Sequence, residues 1–412
     1  MRKAYLEASA IMGALIVSLS ACSPSVADLD KQAEAAYDAK DFTKAAELYQ
    51  KAADQGDAHA QYNLALMYHD GEGVPKDLAK AAELFQKVAD QGYADAQNAL
   101  GVMYEEGGGV PKDIGKAKEL YQKAADQGDA NAQYNLGAIY YNGLGVPKDL
   151  AKAAKLYQDA ADQGDADAQY SLGVMYRDGD GVPKDLAKAA ALFQKAADQG
   201  LAKAQGNLGV MYHNGEGVSK DDAKAIEFLQ KAADQGLAEA EYNLGNRYSN
   251  GQGVPKNLVK AAELFQKAAD QGLAKAQYNL GVMYYSGLGV PKDLAKATEL
   301  FQKAADQGDA DAQEALQRLK AGNQGNAEAQ YNLGNMYYNG QGVPKDLARA
   351  AKLYQDAANQ GDANAQYNLG AIYYNGLGVP KDRAKAIKLF QKAADQGDAD
   401  AQEVLQRLKA GK

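Results

Sequence analysis

The sequence predicts an all-α chain, a solenoid of antiparallel helix hairpins with a 36-residue period, and three observations carry that expectation. A glycine-rich loop recurs nine times, as GEGVPKD at 71, GGGVPKD at 107, GLGVPKD at 143, GDGVPKD at 179, GEGVSKD at 215, GQGVPKN at 251, GLGVPKD at 287, GQGVPKD at 340 and GLGVPKD at 376. Ala-Gln pairs at 60, 96, 132, 168, 204, 240 (with Glu241 for Gln), 276 and 312 fall 36 residues apart, and a second set follows at 329, 365 and 401. Between these landmarks the apolar residues keep helical spacing, and a fixed period of this length is the signature of a repeat array.

Each copy holds a helix A of about a dozen residues, as in DAHAQYNLALMYHD, and a helix B, as in DLAKAAELFQKVAD. Helix B carries Leu78, Ala81, Ala82, Phe85, Val88 and Ala89 at three-and-four spacing, with Glu83 and Lys87 paired on the polar side. In the loop, Gly71 suits the left-handed residue that ends helix A, and Gly73 permits the return. Val74 is placed to plug the gap between helices, and Pro75 prevents continuation. Asp77 sits where helix B needs an N-cap, and its equivalents Asp113, Asp149, Asp185, Asp221, Asn257, Asp293, Asp346 and Asp382 are all Asp or Asn. A phosphate-binding loop would require Gly-Lys-Ser/Thr at its end and a preceding strand, and the sequence supplies neither.

The pattern A-x-A-Q-Y-N-L-G-x-M-Y-x-x-G-x-G-V-P-K-D followed by K-A-A-D-Q-G closely resembles the Sel-1-like repeat, a branch of the tetratricopeptide-like helical repeats, over roughly residues 56 to 412. Leu64, Tyr68, Gly71, Gly73, Ala81, Ala89 and Gly92 fall on the family's structural positions. The resemblance implies a right-handed superhelix. Two departures stand out: the close-packing glycine is Ala65 in the first copy, though Gly101, Gly137, Gly173, Gly209, Gly245, Gly281, Gly334 and Gly370 fill it later, and the frequent helix B tryptophan is Leu84 beside Phe85. Residues 28–55 resemble a shorter tetratricopeptide hairpin in which AYDAKDF replaces the long loop.

The rhythm breaks once, between the loop glycines at 287 and 340. The inserted DADAQEALQRLKAG nearly repeats the closing DADAQEVLQRLKAG, and a helix over 310–320 is expected to cap the preceding hairpin with Ala312, Leu316 and Leu319. The expected organisation is a first array over 56–322 and a second over 323–412 with its own cap, joined by a kink at AGNQGN.

Residues 1–21 read as an export signal, with Arg2 and Lys3 before an apolar run too short to span a bilayer as a helix. Leu19-Ser20-Ala21-Cys22 resembles a bacterial lipobox, which implies lipid attachment at Cys22, the one cysteine of the chain, followed by a linker over 22–27. Ser23 after the cysteine implies the outer membrane, with the protein facing the periplasm. The alternative is cleavage after Ser25-Val26-Ala27, giving a soluble periplasmic or secreted protein. Loss of residues 1–21 removes two cations and one anion, taking the net charge from -9 to -10, which argues against a nucleic-acid partner.

Few side chains suit catalysis beyond residue 27: four serines, two threonines and three histidines. His59 and His69 lie ten residues apart, about 80° around a helix, which makes a poor metal pair. No S-x-x-K motif or paired cysteines support a β-lactamase-like hydrolase, so neither enzyme activity nor a cofactor or metal is expected. A partner is expected instead on the helix A face directed away from Leu64, which the tetratricopeptide resemblance also implies. The position of Tyr62 recurs as Tyr134, Tyr170, Tyr242, Tyr278, Tyr331 and Tyr367, interrupted by Asn98 and Gly206. The position of His69 recurs as Glu105, Tyr141, Arg177, His213, Ser249, Tyr285, Tyr338 and Tyr374. A tyrosine ladder on a concave wall suits an extended peptide of another envelope protein, or a glycan strand as in exopolysaccharide or cell-wall assembly; the alternative is that the rings only pack. The sequence reading is thus a non-enzymatic binding scaffold, held to the membrane only through its lipid.

Overall fold

The computed structural model describes residues 24–323, 327–340 and 345–409, and among them there are 22 helices and no strand. Cys22 and the signal segment lie outside the described residues, as does part of the AGNQGN junction. A first hairpin, Val26–Asp38 with Phe42–Ala53, precedes the repeats. Its first helix starts inside the segment expected to be a linker: Ser25 accepts from the Asp28 amide at 3.1 Å while Asp28 bonds back to Ser25, a capping box. Cleavage after Ala27 would remove that cap.

The chain forms two compact units that divide between Gln199 and Gly200. In the first, A helices Ala58–Asp70, Ala94–Glu106, Ala130–Asn142 and Ala166–Asp178 alternate with B helices Leu78–Asp90, Ile114–Asp126, Leu150–Asp162 and Leu186–Asp198. In the second, the A helices are Ala202–Asn214, Ala238–Asn250, Ala274–Ser286, Ala327–Asn339 and Ala363–Asn375. Their B helices are Asp222–Asp234, Leu258–Asp270, Leu294–Asp306, Leu347–Asn359 and Arg383–Asp395, with single helices Ala310–Asn323 and Ala399–Lys409. Within each unit every helix packs on its chain neighbours, the arrangement of an α-solenoid.

The local chemistry explains the regularity. Gly71 takes φ 79°, and the amides of Gly71 and Glu72 both donate to the Met67 carbonyl, closing helix A with a Schellman motif. Asp77 caps helix B through the Lys80 amide at 3.1 Å, and all eight equivalents cap in the same way. Gly73 does more than permit a return: a Cβ there would stand 2.2 Å from the Phe42 carbonyl oxygen, so the loop lies directly on the start of the preceding helix B. Val74 packs into the apolar cluster of that preceding hairpin. The loop is therefore a joint between repeats.

Phe85 is 2% exposed and its equivalents are equally enclosed, with the close-packing glycines of the later copies against the side chain, a ring in all but Leu229; a Cβ on Gly137 would lie 2.8 Å from the Tyr157 ring. In the single helix Ala310–Asn323, Ala312 and Leu316 are buried and Leu319 is partly buried against Phe301, as a cap requires. Ala401 and Leu405 do the same for the last hairpin.

The Ala-Gln landmark has a structural reason. Gln61 is buried, donates to the Ala53 carbonyl at 3.1 Å and accepts from Gln91 at 3.3 Å; Gln97 links Ala89 to Gln127, and Gln133 links Ala125 to Gln163. One amide thus satisfies a buried helix-end carbonyl of the preceding copy and ties down the following turn.

Candidate functional site

The helix A face is built from the positions that the core leaves over. The seven tyrosines at the Tyr62 position do not stand free. Each ring packs on the buried aromatic of its own helix B, from Tyr62 on Phe85 and Tyr134 on Tyr157 to Tyr331 on Tyr354 and Tyr367 on Phe390, with centroids 5.5 to 5.9 Å apart. Tyr170, Tyr242 and Tyr278 pack the same way on Phe193, Phe265 and Phe301. All seven are half-buried. Burial raises the hydroxyls of Tyr62, Tyr134 and Tyr367 above the ordinary phenol value, and Asp95, Asp167 and Asp400 of the following helix add to it. Tyr62 and Tyr134 also pack against apolar clusters that contain Ala96 and Leu100, or Ala168 and Leu172, of the next helix A. At 100° per residue the position points away from Leu64, but a tyrosine is long enough to lean back onto helix B.

The His69 position sits at the loop end of helix A. Tyr141, Tyr285, Tyr338 and Tyr374 lie beneath the loop lysines Lys148, Lys292, Lys345 and Lys381, 5.1 to 5.9 Å from nitrogen to ring centroid. His69 pairs with Asp70 at 2.7 Å, Arg177 makes two 2.8 Å bonds to Asp178, and Glu105 accepts from Tyr121. His213 pairs with Asp222 at 2.8 Å and accepts from Arg247 at 2.6 Å. Asp222 stands where other copies have Leu78 or Leu150, and Arg247 of the next copy where they have Met67 or Met175, so a polar cluster joins these two copies at positions that are apolar elsewhere. The Arg247 Nε is buried without a partner, and desolvation holds the guanidinium below its ordinary value.

Sequence reasoning missed a third row. Asn135 donates to Asn98 at 2.9 Å, Asn279 to Asn246 at 3.2 Å and Asn368 to Asn335 at 3.3 Å, linking successive A helices on their open side. The asparagine of the recurring word QYNLG was the available signal. His59 and His69 have separate partners; His59 lies 2.9 Å from Asp30, and Asp30, Asp57 and His59 each place one polar atom within 4.8 Å of the others. The hydrogen bond to Asp30 raises the His59 imidazole above its ordinary value, and the charges of Asp30, Glu34 and Asp57 add to it against the cost of desolvation.

A stack of hairpins with an open face of varied polar and aromatic side chains defines a helical-repeat scaffold. Ten segments match the Sel1 repeat: 38–57, the seven consecutive segments from 58–93 to 274–309, and, after residues 310–326, 327–362 and 363–398. The chain belongs to the Sel1 repeat family, whose members typically act as non-catalytic protein-interaction scaffolds. Among solved structures it is similar to c5321, a protective antigen of uropathogenic Escherichia coli strains displaying an SLR fold, at 34% identity over 94% of this chain and 88% of that one, TM-score 0.64. It is also similar to a Sel1 repeat protein from Oxalobacter formigenes, at 33% identity over 58% of this chain and 99% of that one, TM-score 0.56. No curated protein matches.

Proposed function

We propose that the chain is a lipid-anchored scaffold of a bacterial cell envelope that holds another envelope protein along its helix A face. The observation that carries this reading is the contrast within each repeat. Loop, cap and buried glutamine recur almost unchanged, whereas the exposed end of helix A changes from His69 to Glu105, Tyr141 and Arg177. A frame that repeats while its surface varies suits recognition of one extended, non-repeating partner. Attachment at Cys22 rests on the lipobox resemblance, and the alternative cleavage is disfavoured because it would strip Ser25 from the first helix.

Crosslinking in membranes followed by pull-down tests the reading, with intact protein beside a variant in which Tyr134, Tyr141, Tyr278 and Tyr285 are alanine. A Tyr→Phe set at the same positions retains the ring packing and controls for loss of fold. A protein recovered with the intact and Phe forms but not the Ala form supports the scaffold. Recovery unaffected by the Ala set removes the tyrosine face from the proposal, and binding of cell-wall or capsular glycan alone would replace it by a glycan-binding role. Cys22→Ala is expected to abolish incorporation of a labelled fatty acid.

A further inference from the structure

We infer that the helix A face of the first unit docks a basic, extended segment of its partner. This deepens the scaffold reading and rests on it. The four A helices between residues 58 and 178 carry six acids, Asp70, Asp95, Glu105, Glu106, Asp167 and Asp178, against one arginine. That arginine, Arg177, is bound by both ends of the Asp178 carboxylate. The five A helices of the second unit's repeats carry three acids and three bases, so the bias belongs to the first unit and not to the repeat design.

The acids lie on the open side: Asp70, Asp95, Glu106, Asp167 and Asp178 are all exposed. Two junctions show how such acids are placed. In the first, Asp30 and Asp57 of consecutive A helices come together, and the His59 imidazole lies 2.9 Å from Asp30. Two repeats later Asp129 holds the place of Asp57 and Asn131 that of His59, and Asp95 of the preceding helix A is the acid that acts on the Asp129 carboxyl. Asp129 is held above the ordinary carboxylate range, first by burial and then by Asp95, and the Ala132 amide is the group that opposes this. An arginine or lysine from a partner would stand to Asp95 and Asp129 as His59 stands to Asp30 and Asp57. The lysines that open the B helices are turned to the loop edge, with Lys80, Lys116, Lys152 and Lys188 over the Tyr68, Tyr104, Tyr140 and Tyr176 rings. The Asn98–Asn135 pair and the half-buried faces of Tyr62, Tyr134 and Tyr170 suit an extended backbone with interspersed apolar residues.

The test is fluorescence anisotropy of the full chain with a labelled peptide of three Arg-Ser-Lys-Val repeats and a counterpart in which Glu replaces both cations. One variant neutralises the face (Asp95→Asn, Glu106→Gln, Asp129→Asn, Asp167→Asn), and asparagine at 129 can still cap. A second removes as many charges from helix B (Glu83→Gln, Glu119→Gln, Asp159→Asn, Asp198→Asn). The basic peptide is expected to bind the intact chain and the helix B variant, to lose about tenfold or more in affinity with the face variant, and to weaken as salt is raised. The acidic peptide should not bind. Equal loss in both variants, unchanged binding in the face variant or no binding of the basic peptide overturns the inference. The crosslinking experiment separates it from the scaffold reading: a partner captured equally by the face variant leaves the scaffold standing and removes the charge argument. Peptide binding without any captured partner does the reverse.

Discussion

Glu241 shows how a single residue can work against its repeat. It occupies the place of the buried glutamines, is 3% exposed and accepts from Gln271 at 2.8 Å. An ionised carboxylate has no hydrogen to offer the helix-end carbonyl that Gln61 or Gln97 satisfies. Burial accordingly raises the Glu241 carboxyl above its ordinary 4.5. The sign follows from which state ionises first. Above pH 4.5 the unfolded chain releases this proton before the folded chain does, so stability falls as pH rises from there through the raised value, and the deficit is full above it. Glu241→Gln should therefore stabilise the chain by about 1 kcal/mol at pH 7, with a smaller gain near pH 4, when the two proteins are compared by urea denaturation at both values.

At the scale of the element, the loop and the turn use glycine for different reasons, and one copy contains both. Gly109 and Gly128 have φ 74° and 91°, so alanine at either pays the left-handed penalty of about 1–2 kcal/mol. Around Gly128 nothing lies within 4 Å of an added Cβ, whereas at Gly109 the Leu78 carbonyl oxygen would be 2.2 Å away. Gly109→Ala should cost about 1–3 kcal/mol more than Gly128→Ala, because backbone of the preceding copy must move. Thermal unfolding of the two variants makes the comparison, and equal losses would mean that the loop is not a packed joint.

For the molecule as a whole, contacts between near neighbours make stability a sum of local terms. Hairpins inside a unit have a neighbour on both sides, while the helices at the two ends of the described chain, Val26–Asp38 and Ala399–Lys409, have a chain neighbour on one. Amide exchange should be fastest in these two helices and slowest in interior B helices such as Leu150–Asp162, where Ala153, Tyr157 and Ala160 are enclosed. Uniform protection along the chain would instead mean that the array opens as one cooperative body.

The sequence by itself determined the hairpin, its period and the nine helix B caps. Those features are legible because each rests on a local rule: helical periodicity, a side chain that can accept from the amide three residues on, or a glycine free to take positive φ. Tertiary structure decided what lies between copies. That Gly73 abuts the preceding helix, that Gln61 joins two repeats and that Asn135 meets Asn98 depend on residues of another copy, and the lean of each tyrosine depends on the helix B of its own copy. Angular position around one helix gives the direction in which a side chain leaves the backbone. How far it reaches and what it meets are set by the neighbouring copy.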